Sequence, residues 1–356
     1  MKKKVSILLT SLMTACLLAA CSPQSERAVS TQAASAATQE EKTNSAKETD
    51  AAGEASASER VDWPTETVQL IVPAKAGGDT DVIARIYGAA LEKNLGKPVV
   101  IVNQTEGNGI VAYDQVHDAK ADGHTLLFHL LTILAQEHTG VYDCDVLNEF
   151  TTIGAFTGDS GYAMVVRADS EFDTAEQVAA YIAEHPGEMT FACQIGGTSH
   201  LMPAAFAKVA GGSFKYVDAG GDADRRTALL GGNVDITLQS CTSVGQYIAS
   251  GDMKCLGVWT AEGRRDPAAP DLPTFTELGL DVTWPSTYVC LGPKNMDPAL
   301  VEAVNAAFKA VMEDPEVKAQ AETAGYHLTH NAVADSKAFI EAQDEYIKGI
   351  CEYLGF

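Results

Sequence analysis

Two short glycine-containing segments carry residue types that could bind an anion. The first, residues 77–81 (GGDTD), follows an apolar run at 68–72 and precedes a helical pattern. Glycine lets the backbone approach a ligand closely, and a helix start offers unpaired N–H groups and the positive end of the helix dipole. The segment therefore predicts either a carboxylate or phosphate site or a capped turn without a ligand. A nucleotide-phosphate loop is excluded, because no Gly-Lys-Ser/Thr follows the glycines.

The second segment, residues 196–200 (GGTSH), follows another apolar run at 189–193. It is not a nucleophile elbow, because Ser199 lacks the second glycine of G-x-S-x-G. His200 is adjacent in sequence, so its side chain is expected to point away from Ser199. Thr198 and Ser199 are interpreted as hydrogen-bond donors to an anion, with N-capping as the alternative. We predict no catalytic residue.

Other patterns do not predict a cofactor or a metal. Residues 107–112 (GNGIVA) match a dinucleotide-binding pattern, but the next strand lacks the acidic residue that holds the ribose, so a tight turn is favoured. The histidines and cysteines lack H-E-x-x-H or C-x-x-C spacing, so no metal site is expected. Arg225 and Arg226 are expected to bridge locally to Asp222 and Asp224 or to face solvent, with solvent favoured.

The elements that must position these residues alternate between strands and helices. Nine strand candidates lie at residues 68–72, 98–102, 125–129, 163–167, 189–193, 214–217, 234–239, 254–259 and 288–292. Helical patterns begin near Asp79 or Thr80 and near Asp173 or Thr174, and two more cover 298–311 and 336–353. This alternation predicts an α/β fold with mainly parallel sheets in two lobes, with the ligand in the crevice between them.

The N-terminal region predicts export. Three lysines precede an apolar stretch that is too short to span a bilayer, and residues 18–21 (LAAC) resemble the lipobox of bacterial lipoproteins. Residues 1–21 are therefore expected to be a signal peptide with lipid on Cys21, the alternative being an ordinary signal peptide. Residues 22–62 are small and polar and are expected to form a disordered tether. A Gram-positive cell surface fits best, and a periplasmic location stays open.

The charge distribution excludes some partners. The signal segment carries three lysines and the tether eight acids against four bases, which leaves −22 of the total −23 for residues 63–356. Nucleic acid and anionic membrane surfaces are unsuited to such a body. An anionic ligand would have to be held by local donors against the overall field.

The six cysteines of the body could pair in an exported protein. Cys193, Cys255 and Cys290 nevertheless lie in apolar, strand-like runs, where a buried free thiol is the usual occupant.

The collinear order of many short motifs resembles the tripartite tricarboxylate transporter substrate-binding proteins, also called the Bug or TctC family. The resemblance covers residues 63–356 and includes the motifs at 63–64 (WP), 77–85 (GGDTDVIAR), 95–103 (LGKPVVIVN), 121–127 (ADGHTLL), 197–200 (GTSH), 230–235 (LGGNVD) and 271–274 (DLPT). It implies a periplasmic-binding-protein type II-like fold, in which two α/β lobes are joined by two crossover strands and close on a ligand. The implied division is residues 63–163 and 287–356 for the first lobe and 164–286 for the second.

The resemblance also implies a ligand site. Residues of the first glycine-rich turn form one wall, residues of the second form the opposite wall, and four further positions follow other strands or the first crossover. The implied ligand-binding residues are Ala76, Gly77, Gly78, Asp79, Thr80, Thr132, Asp159, Thr198, Ser199, His200, Gln239 and Ser240.

Three positions depart from the family pattern. Residues 73–78 (PAKAGG) stand where the family has Pro-Phe-x-Pro-Gly-Gly, which adds Lys75 as a possible contact for a second carboxylate. Asp218 lies where the family often has Tyr-Lys-Gly, and Gln239 replaces a common Asp. Ligand identity is therefore not carried over.

The function implied is that of a monomeric, extracytoplasmic receptor without a cofactor, which captures a small organic carboxylate and delivers it to the membrane subunits of a tripartite tricarboxylate transporter. A sensor that presents the ligand to a signalling partner, or an exported α/β hydrolase using Ser199, are the alternatives.

Overall fold

The computed structural model describes residues 61–158, 160–261, 263–327 and 329–356. The predicted signal peptide, Cys21, Asp159 and all but the end of the tether lie outside these ranges. None of the helices in the described ranges combines the length and the apolar character needed to cross a membrane.

The described residues form ten strands and eleven α-helices. The strands are β1 (Val68–Val72), β2 (Val99–Asn103), β3 (Thr125–Leu130), β4 (Phe150–Gly158), β5 (Tyr162–Arg167), β6 (Thr190–Cys193), β7 (Lys215–Asp218), β8 (Ile236–Ser240), β9 (Met253–Trp259) and β10 (Ser286–Pro293). The helices are α1 (Asp79–Leu95), α2 (Ile110–His117), α3 (Thr132–His138), α4 (Val146–Glu149), α5 (Ala175–Glu184), α6 (Thr198–Ala210), α7 (Asp222–Leu230), α8 (Cys241–Ala249), α9 (Pro298–Glu313), α10 (Pro315–Thr323) and α11 (Val333–Leu354).

The nine predicted strands are all present, and the tenth, β4, was missed. Glycine and threonine interrupt the apolar pattern of β4, which weakens its strand signal. Gly154 is required there because a Cβ at this position would lie 2.5 Å from the ring of Phe156. The ring of Phe156 stacks instead on Phe308 of α9, with centroids 5.0 Å apart.

Two five-stranded sheets organise the fold. The first has the order β2-β1-β3-β10-β4 and the second β7-β6-β8-β5-β9. The pairs β1–β2, β1–β3, β6–β7 and β6–β8 are parallel, whereas β10 and β5 pair antiparallel with both their neighbours. We call the first sheet with its helices the first lobe and the second sheet with its helices the second lobe.

The strand register shows where the lobes face each other. In the first sheet, Tyr288 near the start of β10 lies beside Leu130 at the end of β3. In the second sheet, Tyr162 at the start of β5 lies beside Ser240 and Trp259, the last residues of β8 and β9. The chain leaves the first sheet after Gly158 and enters the second at Tyr162, and it leaves the second after Trp259 and returns to the first at Ser286, so both links join the edges where the parallel strands end. We call the space between these edges the interlobe cleft, which is where open α/β sheets bind ligands.

The two links are tied to each other. Ser160 Oγ donates a hydrogen bond to Ser286 Oγ over 3.0 Å, and the N–H of Gly161 donates to the buried carboxylate of Asp266. Tyr162 and Ala163, predicted for the first lobe, belong to the second sheet, and Ser286, predicted for the second lobe, belongs to the first. The sequence pattern locates a strand but not which sheet its first residue joins.

Helix α11 lies on both lobes, whereas the sequence interpretation placed it in the first lobe alone. Its first turn contacts the first lobe, where Ser336 Oγ accepts a hydrogen bond from the N–H of Ala155 over 2.9 Å. Its last turns contact the second lobe. Lys208 Nζ donates a hydrogen bond to the Gly349 carbonyl over 3.1 Å, and the Tyr353 hydroxyl donates to the Gly212 carbonyl. An amphipathic pattern identifies a buried helix face but not the elements that cover it.

Two smaller expectations are also resolved. The Gly107-Asn108-Gly109 segment is a tight turn, with φ of 60°, 59° and 96° in the left-handed region. The six cysteines of the described ranges are free thiols. Cys193, Cys255 and Cys290 lie in β6, β9 and β10, as predicted.

Candidate functional site

The first glycine-rich turn is organised by Asp81. Its carboxylate is 2% exposed and accepts from the N–H of Gly77 at 2.7 Å, from Asn103 Nδ2 at 2.8 Å and from Arg85 Nε at 2.9 Å. Burial alone would raise the pKa of Asp81, but these hydrogen bonds outweigh it and hold the pKa below its ordinary value. Asp81 therefore fixes the loop that connects β1 to α1.

The N–H groups of both glycines form hydrogen bonds within this turn. Gly77 donates to Asp81, and Gly78 donates to the carbonyl of Lys75 over 3.0 Å. Ala76 is exposed in the same turn. Because the first N–H groups of a helix lack partners within it, those of Asp79 and Thr80 point out of the start of α1. The N–H groups available to a ligand are therefore those of Asp79 and Thr80 and not those of the two glycines.

Asp79 places a carboxylate beside these donors. Its oxygens accept from Tyr288 Oη at 2.5 Å and from Tyr326 Oη at 2.8 Å. Burial raises the pKa of Asp79, the two tyrosine hydroxyls oppose the rise, and the negative charges of Asp222 in the second lobe and Asp266 in the link add to it. Two acids outside the first lobe therefore act on this carboxylate.

The second glycine-rich turn meets the first lobe through a pair of threonines. Thr198 begins α6 and Thr132 begins α3, and their Oγ1 atoms lie 3.5 Å apart across the lobes. Ser199 Oγ accepts from the N–H of Gln194 over 2.9 Å, which closes the loop before α6. Thr132, Thr198 and Ser199 thus lie together at the start of two helices.

His200 does not join this group. Its Nδ1 faces the N–H of Gly196 at 3.4 Å, and its ring packs against Tyr216 with centroids 4.4 Å apart and against Phe356. Burial lowers the pKa of His200 to about 4. Among the described residues, Ser199 Oγ has no hydrogen bond to a histidine, so the geometry of a serine hydrolase is not assembled there.

Gln239 and Ser240 hold the start of α7 in place. Gln239 is fully buried, donates to the carbonyl of Asp222 over 3.1 Å and accepts from Arg226 over 3.1 Å. The N–H of Ser240 donates to the Asp222 carboxylate over 3.3 Å, and its hydroxyl lies 2.8 Å from that of Thr242. These groups support the cleft wall, since their polar atoms are already engaged.

Arg225 is a cleft residue that the sequence interpretation missed. It is 5% exposed, Nη1 donates to the Gly220 carbonyl over 2.9 Å and Nη2 to Asp222 over 3.3 Å, while Nε has no acceptor among the described residues. The bridge to Asp222 was expected, but the favoured exposure to solvent was wrong. Arg225 shares the buried face of α7 with Leu229, and this i, i+4 spacing is the signal that could have revealed its burial.

Tyr162, at the start of β5, is affected by charged residues of both lobes. Burial raises the pKa of Tyr162 well above its ordinary value, the charges of Asp79 and Asp222 raise it further, and Arg225 opposes the rise. An acid of the first lobe and an arginine of the second therefore both act on this tyrosine at the start of β5.

Lys75 forms a second contact between the lobes. Its Nζ lies 3.1 Å from the carboxylate of Asp224 in the first turn of α7, and the side chains are 74% and 54% exposed. Lys75 is therefore paired at the cleft rim. Asp218, also at the rim, accepts from the N–H of Gly220 over 3.3 Å.

One cluster of potential metal ligands lies away from the cleft, in Glu66, Asp122 and His124 before β1 and β3. His124 Nε2 accepts from the N–H groups of Thr65 and Glu66. Backbone donors thus occupy this imidazole nitrogen.

Comparison with known proteins places this arrangement among transport receptors. The family model described as "Tripartite tricarboxylate transporter family receptor" matches residues 83–356. A UPF0065 protein of Cupriavidus necator is 27% identical over 82% of this chain and 89% of its own length, and the protein BugT of Bordetella pertussis is 28% identical over 72% and 79%. A UPF0065 protein of a Pseudomonas species is 30% identical over 72% of this chain and 76% of its own length.

Solved structures share the fold. A protein of R. palustris with adipate superposes with a TM-score of 0.72 at 24% identity, over 83% of this chain and 99% of the other. The protein MatC of Rhodopseudomonas palustris with bound malate gives 0.70 at 22% identity, over 81% and 100%, and the periplasmic binding protein BugD gives 0.70 at 24% identity, over 82% and 99%. The predicted two-lobe periplasmic-binding-protein fold is confirmed.

Proposed function

Because the chain belongs to the tripartite tricarboxylate transporter receptor family, we propose that it captures a small organic carboxylate in the interlobe cleft and delivers it to the membrane subunits of such a transporter. The family and the fold are those of solute-binding receptors. Relatives of the same fold are solved with malate and adipate, which are small carboxylates.

One observation carries the proposal: two side-chain pairs bring helix starts of the two lobes close to each other across the cleft. The pair Lys75–Asp224 brings the start of α1 to that of α7, and the pair Thr132–Thr198 brings the start of α3 to that of α6. Helix starts attract anions through their free N–H groups and their dipoles. A carboxylate between them would gain donors from both lobes, which favours the closed state.

The proposed contacts fall into two groups. In the first lobe, the donors are the N–H groups of Asp79 and Thr80 and the hydroxyl of Thr132. In the second lobe, they are Thr198, Ser199 and the guanidinium of Arg225, which uses two of its five N–H groups on described residues. Arg225 supplies the charged donor, and its burial strengthens its attraction for a carboxylate.

We further propose that the receptor acts as a monomer outside the cytoplasm, held at the membrane by lipid on Cys21. The motif at 18–21 and the polar composition of residues 22–62 support this anchoring. Closure of the lobes around the ligand would give the membrane subunits a shape to recognise.

The test is a ligand screen of the full-length chain by thermal shift and calorimetry, with di- and tricarboxylates, aromatic acids, amino acids, sugars and nucleotides. We expect carboxylate-containing compounds to stabilise the protein. Arg225→Ala should weaken their binding about 10- to 100-fold, because one charge-assisted contact contributes about 1.5–3 kcal/mol. Stabilisation by sugars or nucleotides alone would refute the carboxylate assignment.

Two controls accompany this test. Arg265→Ala removes an exposed arginine paired with Glu277 outside the cleft, and binding should be unchanged. Arg225→Lys keeps the positive charge and should recover part of the affinity, which separates loss of a contact from loss of folding. Delivery is tested by uptake of the bound compound into vesicles containing the membrane subunits, which should require the receptor.

A further inference from the structure

The charges around the cleft are not balanced for a purely anionic ligand. Asp224 pairs with Lys75, and Asp222 pairs with Arg225 and Arg226. Asp79 has no Lys, Arg or His partner within 4.0 Å among the described residues, and its hydrogen-bond donors are two neutral tyrosine hydroxyls. Asp79 is therefore a carboxyl group without a cationic partner among the described residues, and its burial raises its pKa because the charged form is not compensated.

A second acid, Asp266, is placed differently. It accepts the N–H groups of Gly161 and Ala268, at the link between the lobes, so its oxygens are engaged by the backbone. Asp79 is instead the first residue of α1, next to the N–H groups proposed to bind the ligand. Of these two acids, Asp79 is the one beside the ligand.

The orientation of Asp79 is fixed. Tyr288 is fully buried in β10 and Tyr326 is 3% exposed, so the two hydroxyls hold the carboxylate from the side of the first lobe. A carboxylate offers about four lone-pair positions, and these tyrosines use two of them. The remaining positions can accept further hydrogen bonds.

From this we infer that the ligand carries an ammonium group next to its carboxylate, and that Asp79 selects it. The inference rests on the proposed function, because it takes the carboxylate to lie at Arg225 and the helix starts. The ammonium group would donate to Asp79 and supply the missing positive charge. An amino acid therefore fits this cleft better than a dicarboxylate with the same carbon skeleton.

Charge decides between an ammonium group and a hydroxyl group. A hydroxyl can donate a hydrogen bond to Asp79 but leaves its charge uncompensated in a closed site, where an unpaired charge is costly. An additional carboxylate at this position would face Asp79 as a like charge. The expected order of affinity within one skeleton is therefore amino acid, then hydroxy acid, then unsubstituted acid.

The test uses ligand series that differ at one carbon. Calorimetry of the full-length chain is performed with succinate, malate and aspartate, with glutarate, 2-hydroxyglutarate and glutamate, and with propionate, lactate and alanine. In at least one series, the amino acid should bind at least tenfold more tightly than both other members. Asp79→Asn should reduce that preference at least tenfold while binding of the unsubstituted acid is maintained or improved.

Controls keep the result specific. Asp335→Asn removes an exposed acid from the first turn of α11, away from the cleft, and should leave the preference unchanged. Tyr326→Phe removes one of the two donors that orient Asp79 but keeps the carboxylate, so the preference should weaken without being lost, which tests Asp79 even if Asp79→Asn fails to fold.

Two outcomes overturn the inference and are distinguishable. If unsubstituted or hydroxy acids bind as tightly as amino acids in every series, or if Asp79→Asn retains the preference, Asp79 does not select an ammonium group and the carboxylate function stands. If no acid of any series binds, the proposed function and the inference fall together.

Discussion

At the scale of single residues, aspartates at helix starts have opposite roles in this protein. Asp81 and Asp222 accept hydrogen bonds from their own lobes and shape the loops at the cleft. Asp79, two residues before Asp81, accepts from two tyrosine hydroxyls of the first lobe and has no cationic partner among the described residues. The sequence Asp79-Thr80-Asp81 cannot distinguish these roles, because both aspartates suit the first turn of a helix.

We predict that Asp81→Asn destabilises the protein by about 2 kcal/mol at neutral pH. The amide keeps one acceptor oxygen in place of two and turns an NH2 group toward donors that now bind the carboxylate, so at least one buried donor loses its partner. The estimate is kept low because Arg85 is 52% exposed and its attraction is screened by water. Denaturant unfolding of both proteins measures the difference.

The effect of Asp81→Asn should depend on pH. The pKa of Asp81 is lowered in the folded protein from its ordinary value of 3.8 by the bonds from Arg85, Gly77 and Asn103, which together outweigh burial. Its carboxylate therefore stabilises the fold above that value, and this stabilisation is lost as pH falls through the folded pKa. The gap between the two proteins should shrink below about pH 4. Asp169→Asn, at an exposed pair with Arg167, should have little effect at any pH.

At the scale of elements, the cleft is built from helix starts and the links between lobes. The helices α1, α3, α6 and α7 each begin after a strand that ends at the cleft edge. The glycine-rich turns before α1 and α6 were recognisable in sequence. The start of α3 has no such signal, and Thr132 was found through the family resemblance.

We predict that Gly161→Ala destabilises the protein by about 1–3 kcal/mol. A Cβ there would lie 2.7 Å from the Trp259 carbonyl oxygen and 2.8 Å from Val258 Cγ1, so the link would have to shift. Thermal unfolding measures the loss. Gly245→Ala is the matched control: it has open space in helix α8, and alanine should stabilise the helix by about 0.5–1 kcal/mol. Equal melting temperatures for the two variants would contradict the expected crowding at Gly161.

At the scale of the whole molecule, contacts other than the links also connect the two lobes. The pair Lys75–Asp224 lies at the cleft rim, and α11 contacts Ala155 of the first lobe and Gly212 of the second. In the proposed closing motion, opening of the cleft would break the rim contact, and α11 would have to stay in place or slide on one lobe.

We predict that Lys75 and Asp224 couple weakly to ligand affinity. Because both side chains are mostly exposed, a double-mutant cycle of Lys75→Ala and Asp224→Ala should give a coupling of about 0.2–1 kcal/mol, which corresponds to up to about a fivefold change in Kd. The coupling should shrink at high salt, since exposed charges are screened. Lys93→Ala, in an exposed pair with Glu316 inside the first lobe, should leave Kd unchanged. A coupling of zero at low salt would show that the rim pair does not assist closure.

The sequence by itself determined nine strands, the helix that starts at Asp79, the two glycine-rich turns and, through many collinear motifs, the family. These features are local, because strand alternation, helix starts and glycine turns depend on neighbouring residues. The sequence did not predict β4, because its glycines and threonines interrupt the strand pattern. It also did not predict that the His200 ring packs against Tyr216.

Only the tertiary structure decided which groups meet in the cleft. Asp79 lies 209 residues from Tyr288, and Lys75 lies 149 residues from Asp224. Such contacts are set by how two lobes pack and by the crossing of the chain between them, and one sequence carries no signal of which distant side chains will face each other. The burial of Arg225 and the absence of a cationic partner for Asp79 among the described residues arise from that packing, and the proposed preference for an amino acid rests on them.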